Sequence, residues 1–237
     1  MGEIQDVFRR VEKKYLLTRE QTDALLPVLR GRLLPDPYGE YTISNIYYDT
    51  DDFQLIRRSL ERPIYKEKLR MRAYGLVDAH SEVFLEIKRK FRGVVYKRRV
   101  QMPLPEARRF LETGCSCASL SQIHREIQYF LRQNPVSPKA FIAYDRVGLI
   151  GEEGEGLRVT LDRGIRFRTE KMALEAGTRG NAILAPDETL MEVKFSGAMP
   201  LWLAHALSEF GVCPTTFSKY GRCYEMLLQK ERMRRSA

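Results

Sequence analysis

The sequence predicts an α+β fold in which about eight strands, mostly antiparallel, form a sheet that could close on itself, with helices at its edges. Three observations lead to this class. Eight segments alternate polar and apolar residues as strands do, the tight-turn dipeptide Arg92-Gly93 joins two of them, and helix-capping signals occur between the strands. The length of 237 residues suits one domain spanning residues 1–237, because closed barrels of about 200–250 residues fold as single units.

The first half of the chain contains five predicted strands and three predicted helices. Thr18 and Gln21 form a capping-box pattern at the start of a helix that runs to about Leu29. The segment 35–39 is rich in proline and glycine and predicts a turn. The strands are expected at residues 8–17, 42–49, 64–74, 82–91 and 94–102, and the two further helices at residues 51–59 and 103–114.

The second half of the chain contains the other three predicted strands. They are expected at residues 139–148, 157–167 and 189–195. Residues 169–186 show no periodicity and predict a loop. Helices are expected at residues 119–133, 200–210 and 219–234, and the last of them ends in a basic turn, as the helix dipole favours.

Composition narrows the function without deciding it. The 40 Lys and Arg residues exceed the 31 Asp and Glu residues and give a net charge of +9, which favours anionic partners such as nucleic acid, acidic lipid or phosphorylated small molecules. The four cysteines show no CxxC spacing and indicate neither a disulfide framework nor a zinc site. The sequence also lacks Walker A, HExxH and nucleophile-elbow motifs.

Charged residues follow the strand period in several predicted strands, so that they share one face. The longest run of cations is Lys66, Lys68, Arg70 and Arg72. Other strands carry mixed sets on one face: Arg10, Glu12 and Lys14; Glu86, Lys88 and Lys90; Tyr144 and Arg146; Arg158, Thr160 and Asp162; and Glu192 and Lys194. The opposite faces are mostly apolar, which leaves the charged faces as the candidates for function.

Two interpretations of these faces are open. They could be the solvated side of a sheet whose apolar side packs on helices. However, like charges opposite each other destabilise a sheet, and a phosphate chain would compensate them, because arginine binds phosphate through two N–H groups and lysine supplies a compact charge. The interleaved carboxylates Glu12, Glu86 and Glu192 fit beside phosphate if some of them hold a divalent metal, Mn²⁺ or Mg²⁺.

An ordered series of short motifs resembles a known family. The motifs are Arg10-Val-Glu12-Lys-Lys14-Tyr15, Tyr47-Tyr48-Asp49-Thr50, Lys66-Glu-Lys68-Leu-Arg70-Met-Arg72, Leu85-Glu86-Ile-Lys88, Tyr144-Asp-Arg146, Arg158-Val-Thr160-Leu-Asp162, Glu192-Val-Lys194 and Ser218-Lys219-Tyr220. Over roughly residues 8–225 they resemble the catalytic domain of the vacuolar transporter chaperone (VTC) complex. They are more distantly similar to the triphosphate tunnel metalloenzymes, which include CYTH adenylate cyclases and triphosphatases.

This resemblance implies a closed eight-stranded antiparallel β-barrel, a triphosphate tunnel with flanking helices. It implies an activity that builds inorganic polyphosphate from the terminal phosphate of ATP and needs a divalent metal, typically Mn²⁺. The residues that it implies as catalytic are Arg70, Arg72, Lys88, Lys194 and Lys219, and those that it implies as phosphate-binding are Arg10, Lys14, Lys68, Arg146 and Arg158. Glu192 is the first candidate metal ligand and Glu12 the second.

One departure bears on the reaction. The tunnel enzymes tend to begin with ExExK, and Arg10 stands where the first glutamate would be. One fewer acid and one more cation favour a polyphosphate track over a two-metal hydrolytic centre. The expected function is therefore ATP–polyphosphate phosphotransfer, with a metal-dependent triphosphatase as the alternative.

A non-catalytic polyanion or RNA binder ranks third. Single-stranded nucleic acid would favour aromatic residues among the cations for base stacking, and the Lys66–Arg72 face has none before Tyr74. No apolar run approaches the ~18 residues of a membrane span, and the N-terminus has no signal-peptide core. These features predict a cytoplasmic protein, and any export of polyphosphate would then need a separate membrane-protein partner.

Overall fold

The computed structural model describes residues 10–92, 94–115, 121–152 and 156–236, apart from the side chains of Arg10 and Arg235. The strands are β1 (Arg10–Leu17), β2 (Leu34–Asp49), β3 (Tyr65–Tyr74), β4 (Glu82–Phe91), β5 (Val94–Pro103), β6 (Ser137–Ile150), β7 (Arg158–Arg168), β8 (Asn181–Ala182), β9 (Thr189–Ser196) and β10 (Pro214–Thr215). The helices are α1 (Arg19–Arg30), α2 (Gln54–Leu60), α3 (Leu104–Thr113), α4 (Gln122–Gln133), α5 (Leu201–Glu209) and α6 (Lys219–Arg235).

The strands form one ten-stranded sheet with the order β10-β1-β9-β7-β6-β2-β3-β4-β5, and β8 pairs with β7 beside this path. The α+β class with an antiparallel sheet and flanking helices is therefore confirmed. The closed eight-stranded barrel is not, because the sheet has ten strands and, among the described residues, its order ends at β10 and β5 without closing. The two extra strands are the two-residue pairs β8 and β10, which are too short to show an alternating pattern.

The predicted turn at residues 35–39 is also wrong. This segment continues as part of β2, with Gly39 at a positive φ of 66°. Proline holds a φ that suits an extended backbone, and the buried Asp36 carboxylate accepts a hydrogen bond from the Tyr38 backbone N–H at 3.1 Å. Inside the predicted loop 169–186, the structure places β8 and a short 3₁₀ turn at Leu174–Ala176.

The contacts within the chain divide it into two units. The first comprises the described residues of Met1–Tyr41, Asp145–Gly164 and Leu184–Phe217, and the second comprises those of Thr42–Tyr144, Ile165–Ile183 and Ser218–Ala237. Each unit has its own apolar core. Leu25, Val159, Met191 and Leu203 belong to the core of the first, whereas Leu69, Leu85, Phe110 and Phe130 belong to the core of the second.

Local signals account for several helix boundaries. The predicted capping box of α1 is present, with Thr18 and Gln21 each bonding the other's backbone N–H. A second capping box starts α4, where Ser121 pairs in the same way with His124. None of the helices in the described part of the chain is long and apolar enough to cross a membrane.

Candidate functional site

The densest group of cations lies on one face of β3, β4 and β5 in the second unit. Successive side chains of a strand point to opposite faces, and the apolar positions of β3 and β4 face the core, so the charged positions lie together on the other side. We call this set the cationic face: Lys66, Lys68, Arg70 and Arg72 of β3, Lys88 and Lys90 of β4, and Lys97 and Arg99 of β5. The register of β4 and β5, which pairs Phe91 with Val94, brings β5 onto this face. Gly93, the second residue of the predicted turn, lies outside the described residues.

The strand register places cations directly opposite one another. Lys68 pairs with Lys88, and Lys88 pairs in turn with Lys97, which makes a row of three lysines across three strands. Lys66 pairs with Lys90 in the next row. Burial lowers the pKa of Lys66, and the neighbouring charges of Lys90 and Arg62 add to this effect. Like charges directly opposite each other destabilise a sheet, so the register of this face favours a bound anion.

Glu86 is the carboxylate at the centre of the cationic face. It is 1% exposed, and its Oε2 accepts from Arg70 Nε at 2.7 Å and lies 2.6 Å from a terminal nitrogen of the same guanidinium. Lys97 Nζ lies 2.7 Å from the other carboxylate oxygen. Burial alone would raise the pKa of Glu86, but Arg70, Arg72 and Lys97 outweigh it and lower the pKa to about 2.

Two of the three arginines of the cationic face, Arg70 and Arg72, are held by further polar groups from the second unit. Arg70 donates to the Tyr47 hydroxyl at 3.0 Å. Arg72 is 6% exposed and donates to the Asn45 side-chain oxygen at 2.9 Å and to the Tyr144 hydroxyl at 3.2 Å. Both guanidinium groups are therefore fixed in position without any ligand.

The N-terminus of α6 brings one more predicted cation to this group. Lys219 Nζ lies 4.4 Å from the centroid of the Tyr144 ring, so it shares this tyrosine with Arg72. The N-cap Ser218 accepts a hydrogen bond from Lys68 Nζ at 3.0 Å. Tyr220 anchors the helix by donating to the buried Asp49 carboxylate at 2.9 Å, and burial together with this carboxylate raises the pKa of Tyr220.

The first unit contains a different arrangement on β1, β9 and β7. Lys14 lies opposite Glu192 and Glu12 lies opposite Lys194 in the register of β1 and β9. Lys14 Nζ lies 3.5 Å from Glu12 and 3.4 Å from Glu192, and it donates to the Phe217 carbonyl at 3.0 Å. Lys194 Nζ lies 3.5 Å from Glu192, so each carboxylate has a cation beside it.

Two arginines extend this arrangement. Arg146 binds the buried Asp162 carboxylate through two bonds of 2.6 and 2.8 Å and lies 3.8 Å from Glu192. Arg158 donates to Asp36 at 3.1 Å. Gly148 makes room for the Asp36 carboxylate, because a Cβ at this position would collide with it. We call these residues the Glu192 network: Glu12, Lys14, Asp36, Arg146, Arg158, Asp162, Glu192 and Lys194.

The residues of the Glu192 network can supply part of the ligand shell of a divalent metal. In the part of the chain that the structure describes, no group of three or more His, Cys, Asp or Glu side chains is arranged to hold a metal. Glu12 and Glu192 offer two carboxylates, and the hydroxyl of Thr160, opposite Glu192 in the register, is buried without a hydrogen-bond partner. Mg²⁺ and Mn²⁺ take one or two carboxylates when phosphate and water complete their shell, and the donor set fits such a site.

The structure thus places the predicted residues in two groups. Lys68, Arg70, Arg72, Lys88 and Lys219 lie in the second unit, whereas Lys14, Arg146, Arg158, Lys194 and the candidate metal ligands Glu12 and Glu192 lie in the first. The backbone of Arg10 pairs with Ser196, and its side chain lies outside the described part.

Sequence reasoning missed several members of the cationic face and its supports: Asn45, Lys97, Arg99 and the role of Tyr47 and Tyr144 as partners of the arginines. A signal for Lys97 and Arg99 was present. The predicted tight turn at Arg92-Gly93 would pair Phe91 with Val94. Counting outward from that pair sets Lys88 opposite Lys97, which is the observed register.

Comparison with protein families matches residues 9–228 to the family described as VTC domain. Comparison with curated proteins found no match.

Three solved structures are similar in fold. A candidate adenylate cyclase of Bacillus halodurans has a TM-score of 0.53 at 16% identity, covering 88% of this chain and 93% of its own. The candidate adenylyl cyclase HpAC1 from Hippeastrum, which has a dominant triphosphatase activity, has a TM-score of 0.48 at 19% identity, with coverages of 89% and 93%. The protein PH1819 of Pyrococcus horikoshii has a TM-score of 0.46 at 16% identity, with coverages of 93% and 99%.

At these identities the structural similarity concerns the fold only, and of the three the Bacillus protein has a TM-score above 0.5. The family match extends over most of the chain and includes both the cationic face and the Glu192 network. The chain therefore belongs to the VTC domain family.

Proposed function

We propose that the protein is an ATP–polyphosphate phosphotransferase that transfers the γ-phosphate of ATP to a growing inorganic polyphosphate chain with the help of Mn²⁺ or Mg²⁺. The observation that carries this proposal is the lysine row Lys68, Lys88 and Lys97, together with the adjacent pair Lys66 and Lys90. Membership of the VTC domain family supports it.

The cationic face favours a ligand with many closely spaced negative charges. Its eight cations surround one carboxylate, Glu86, in the registered segments 66–72, 84–90 and 95–101, all of which are described. A single small anion would neutralise only its nearest neighbours. A phosphate chain presents charge along its length and matches cations that repeat along and across the strands.

Phosphoryl transfer through a loose transition state needs positioning and charge neutralisation more than a protein nucleophile. Arg70 and Arg72 are held by neighbouring side chains before substrate binds, which is the preorganisation that stabilises developing charge. In the proposed reaction a terminal oxygen of the polyphosphate attacks the γ-phosphorus of ATP. The bond from that phosphorus to the bridging oxygen breaks, and ADP leaves with the electron pair. The N–H groups of Arg70 and Arg72 would donate to the phosphate oxygens.

The metal site is proposed for the first unit by itself. Glu192 and Glu12 would hold it, with the Thr160 hydroxyl as a further oxygen ligand. When bound, the metal supplies positive charge to phosphate oxygens. Lys14 contacts both carboxylates, so metal binding would require this lysine to give up part of its contact with them.

The test is product analysis. The protein is incubated with ATP and Mn²⁺, with and without a chelator, and the products are separated on a gel stained for polyphosphate. We expect long phosphate chains and ADP that depend on the metal. Orthophosphate as the sole phosphate product would remove the polymerase and indicate the triphosphatase. Tight binding of single-stranded RNA without any turnover of ATP would indicate a nucleic-acid platform.

A further inference from the structure

A buried carboxylate in the middle of a phosphate-binding face requires an explanation. Glu86 is ionised at neutral pH, since its pKa is lowered to about 2, and it must repel any phosphate that approaches Arg70 or Arg72. An uncharged residue at this position would bind anions better. Glu86 must therefore have a role other than increasing the affinity for phosphate.

The contacts of Glu86 with Arg70 indicate its role. Glu86 binds the Nε and one terminal nitrogen of Arg70, at 2.7 and 2.6 Å, and Tyr47 accepts from the other terminal nitrogen. Two of the five N–H groups of the guanidinium, one on Nε and one on the nitrogen beside Tyr47, donate hydrogen bonds to protein partners. The other terminal nitrogen adds an ion pair with the same carboxylate oxygen, so the orientation of Arg70 is set at three nitrogens and its remaining N–H groups have a fixed direction.

We propose that Glu86 is a positioning residue that fixes Arg70 for the transferring phosphate, at the expense of affinity for the phosphate chain. This inference rests on the proposed phosphotransfer function. Glu86 acts through Arg70 and does not itself bind the substrate or a metal. An interaction that orients a donor for the transition state raises turnover even where it weakens binding of the ground state.

This role predicts opposite effects on binding and turnover. Glu86→Gln adds one net positive charge to the cationic face and replaces the charged acceptor of Arg70 with a neutral amide, which removes the ion pair and weakens the hydrogen bond to Nε. We expect this variant to bind tripolyphosphate at least threefold more tightly by calorimetry and to turn over ATP at least tenfold more slowly. Glu86→Asp keeps the charge and should recover part of the turnover and the wild-type affinity.

A spectroscopic measurement separates this inference from the proposed function. In ¹⁵N-labelled protein, the Nε–H resonance of Arg70, assigned by its loss in Arg70→Lys, should be sharp in the wild type and exchange-broadened in Glu86→Gln, because the carboxylate contact is gone. If the wild type fails to turn over ATP, the proposed function fails, and the NMR comparison still decides whether Glu86 positions Arg70.

Three results would overturn the inference. Weaker binding together with slower turnover would mean that Glu86 only maintains the fold. Tighter binding with unchanged turnover would mean that it is only a repelling charge. An unchanged Arg70 resonance would mean that the hydrogen bond to Tyr47 is enough to fix the orientation of Arg70. If Glu86→Gln does not fold, the double variant Glu86→Gln/Lys97→Gln removes both members of the second ion pair, and the same Arg70 resonance is measured in it.

Discussion

The cationic face and the Glu192 network use the same residue types in opposite balance. In the Glu192 network, four cations and four carboxylates are connected by ion pairs, so that each charge has a partner. On the cationic face, eight cations surround Glu86, and lysines lie opposite lysines. Both sets lie on strands whose other face packs into an apolar core.

This difference separates a set of balanced charges from a face with an excess of positive charge. The Glu192 network pairs its four cations with four carboxylates. The cationic face places eight cations around one carboxylate in a rigid framework of strands, and the repulsion between its cations is offset when a polyanion binds. The two regions should therefore respond differently to substitution, pH, salt and ligand.

The largest effect is expected for Arg70 and Arg72 of the cationic face. Arg70→Ala and Arg72→Ala should each lower ATP turnover by about 100-fold or more, the loss typical of removing one preorganised donor to a developing charge. Initial rates of ADP formation with Mn²⁺ measure this. Arg98→Ala is the matched control, because Arg98 lies on the opposite face of β5 with its side chain half exposed. Unimpaired turnover in both arginine variants would remove the cationic face from the reaction.

The next effect concerns the Glu192 network. Glu192→Gln should raise the Mn²⁺ concentration for half-maximal activity by about tenfold or more, because a carboxylate ligand becomes a neutral amide. Metal-free binding of tripolyphosphate should remain close to that of the wild type. Asp23→Asn, an exposed carboxylate of α1 that pairs only with Arg19 in the described structure, controls for loss of charge. A wild-type metal dependence in Glu192→Gln would exclude Glu192 as a ligand.

The pH dependence of stability should reveal the carboxylate of the cationic face. The pKa of Glu86 is about 2 in the folded protein against an ordinary 4.5, so folding favours its ionised form. The resulting stabilisation, about 3 kcal/mol, is fully present above pH 4.5 and is lost as the pH falls through 2. Denaturant unfolding at several pH values should show that wild type and Glu86→Gln differ most above pH 4.5 and converge towards pH 2. A constant difference would contradict the assigned pKa.

The smallest effect should be a gain in stability. Lys88 lies between Lys68 and Lys97, so Lys88→Ala should stabilise the ligand-free protein by about 0.2–1 kcal/mol. Thermal melts at low salt measure this gain, and high salt should reduce it, because salt screens the repulsion in the wild type. A loss of stability at low salt would contradict a net repulsion within the lysine row.

The alternation of polar and apolar residues determines which strands could be predicted from the sequence. Strands β3, β4 and β5 have long alternating patterns, and all three were predicted within one residue of the observed ends. Strands β8 and β10 have two residues each. Each pairs with a longer strand, β8 with β7 and β10 with β1, where Lys14 lies opposite the sequence-distant Thr215. No local pattern could indicate them.

The site was predictable to a similar extent. Alternation identifies which residues share a face, and it identified Arg70, Arg72 and Lys88. It does not give distances, so the choice of Glu86 as the partner of Arg70 and Lys97, rather than as a metal ligand, required the structure. The same holds for Tyr144, which contacts Arg72 from a strand 72 residues further along the chain.

The central claim is that the excess of positive charge on the cationic face binds a phosphate chain, and calorimetric titration with tripolyphosphate tests it most directly. The comparison needs the wild type and two variants, Lys88→Ala and the opposite-face control Arg98→Ala. Each variant removes one positive charge. We expect Lys88→Ala to weaken binding by about tenfold, or 1.4 kcal/mol, and Arg98→Ala to leave it within about twofold. Equal weakening in both variants, or none in Lys88→Ala, would contradict the account.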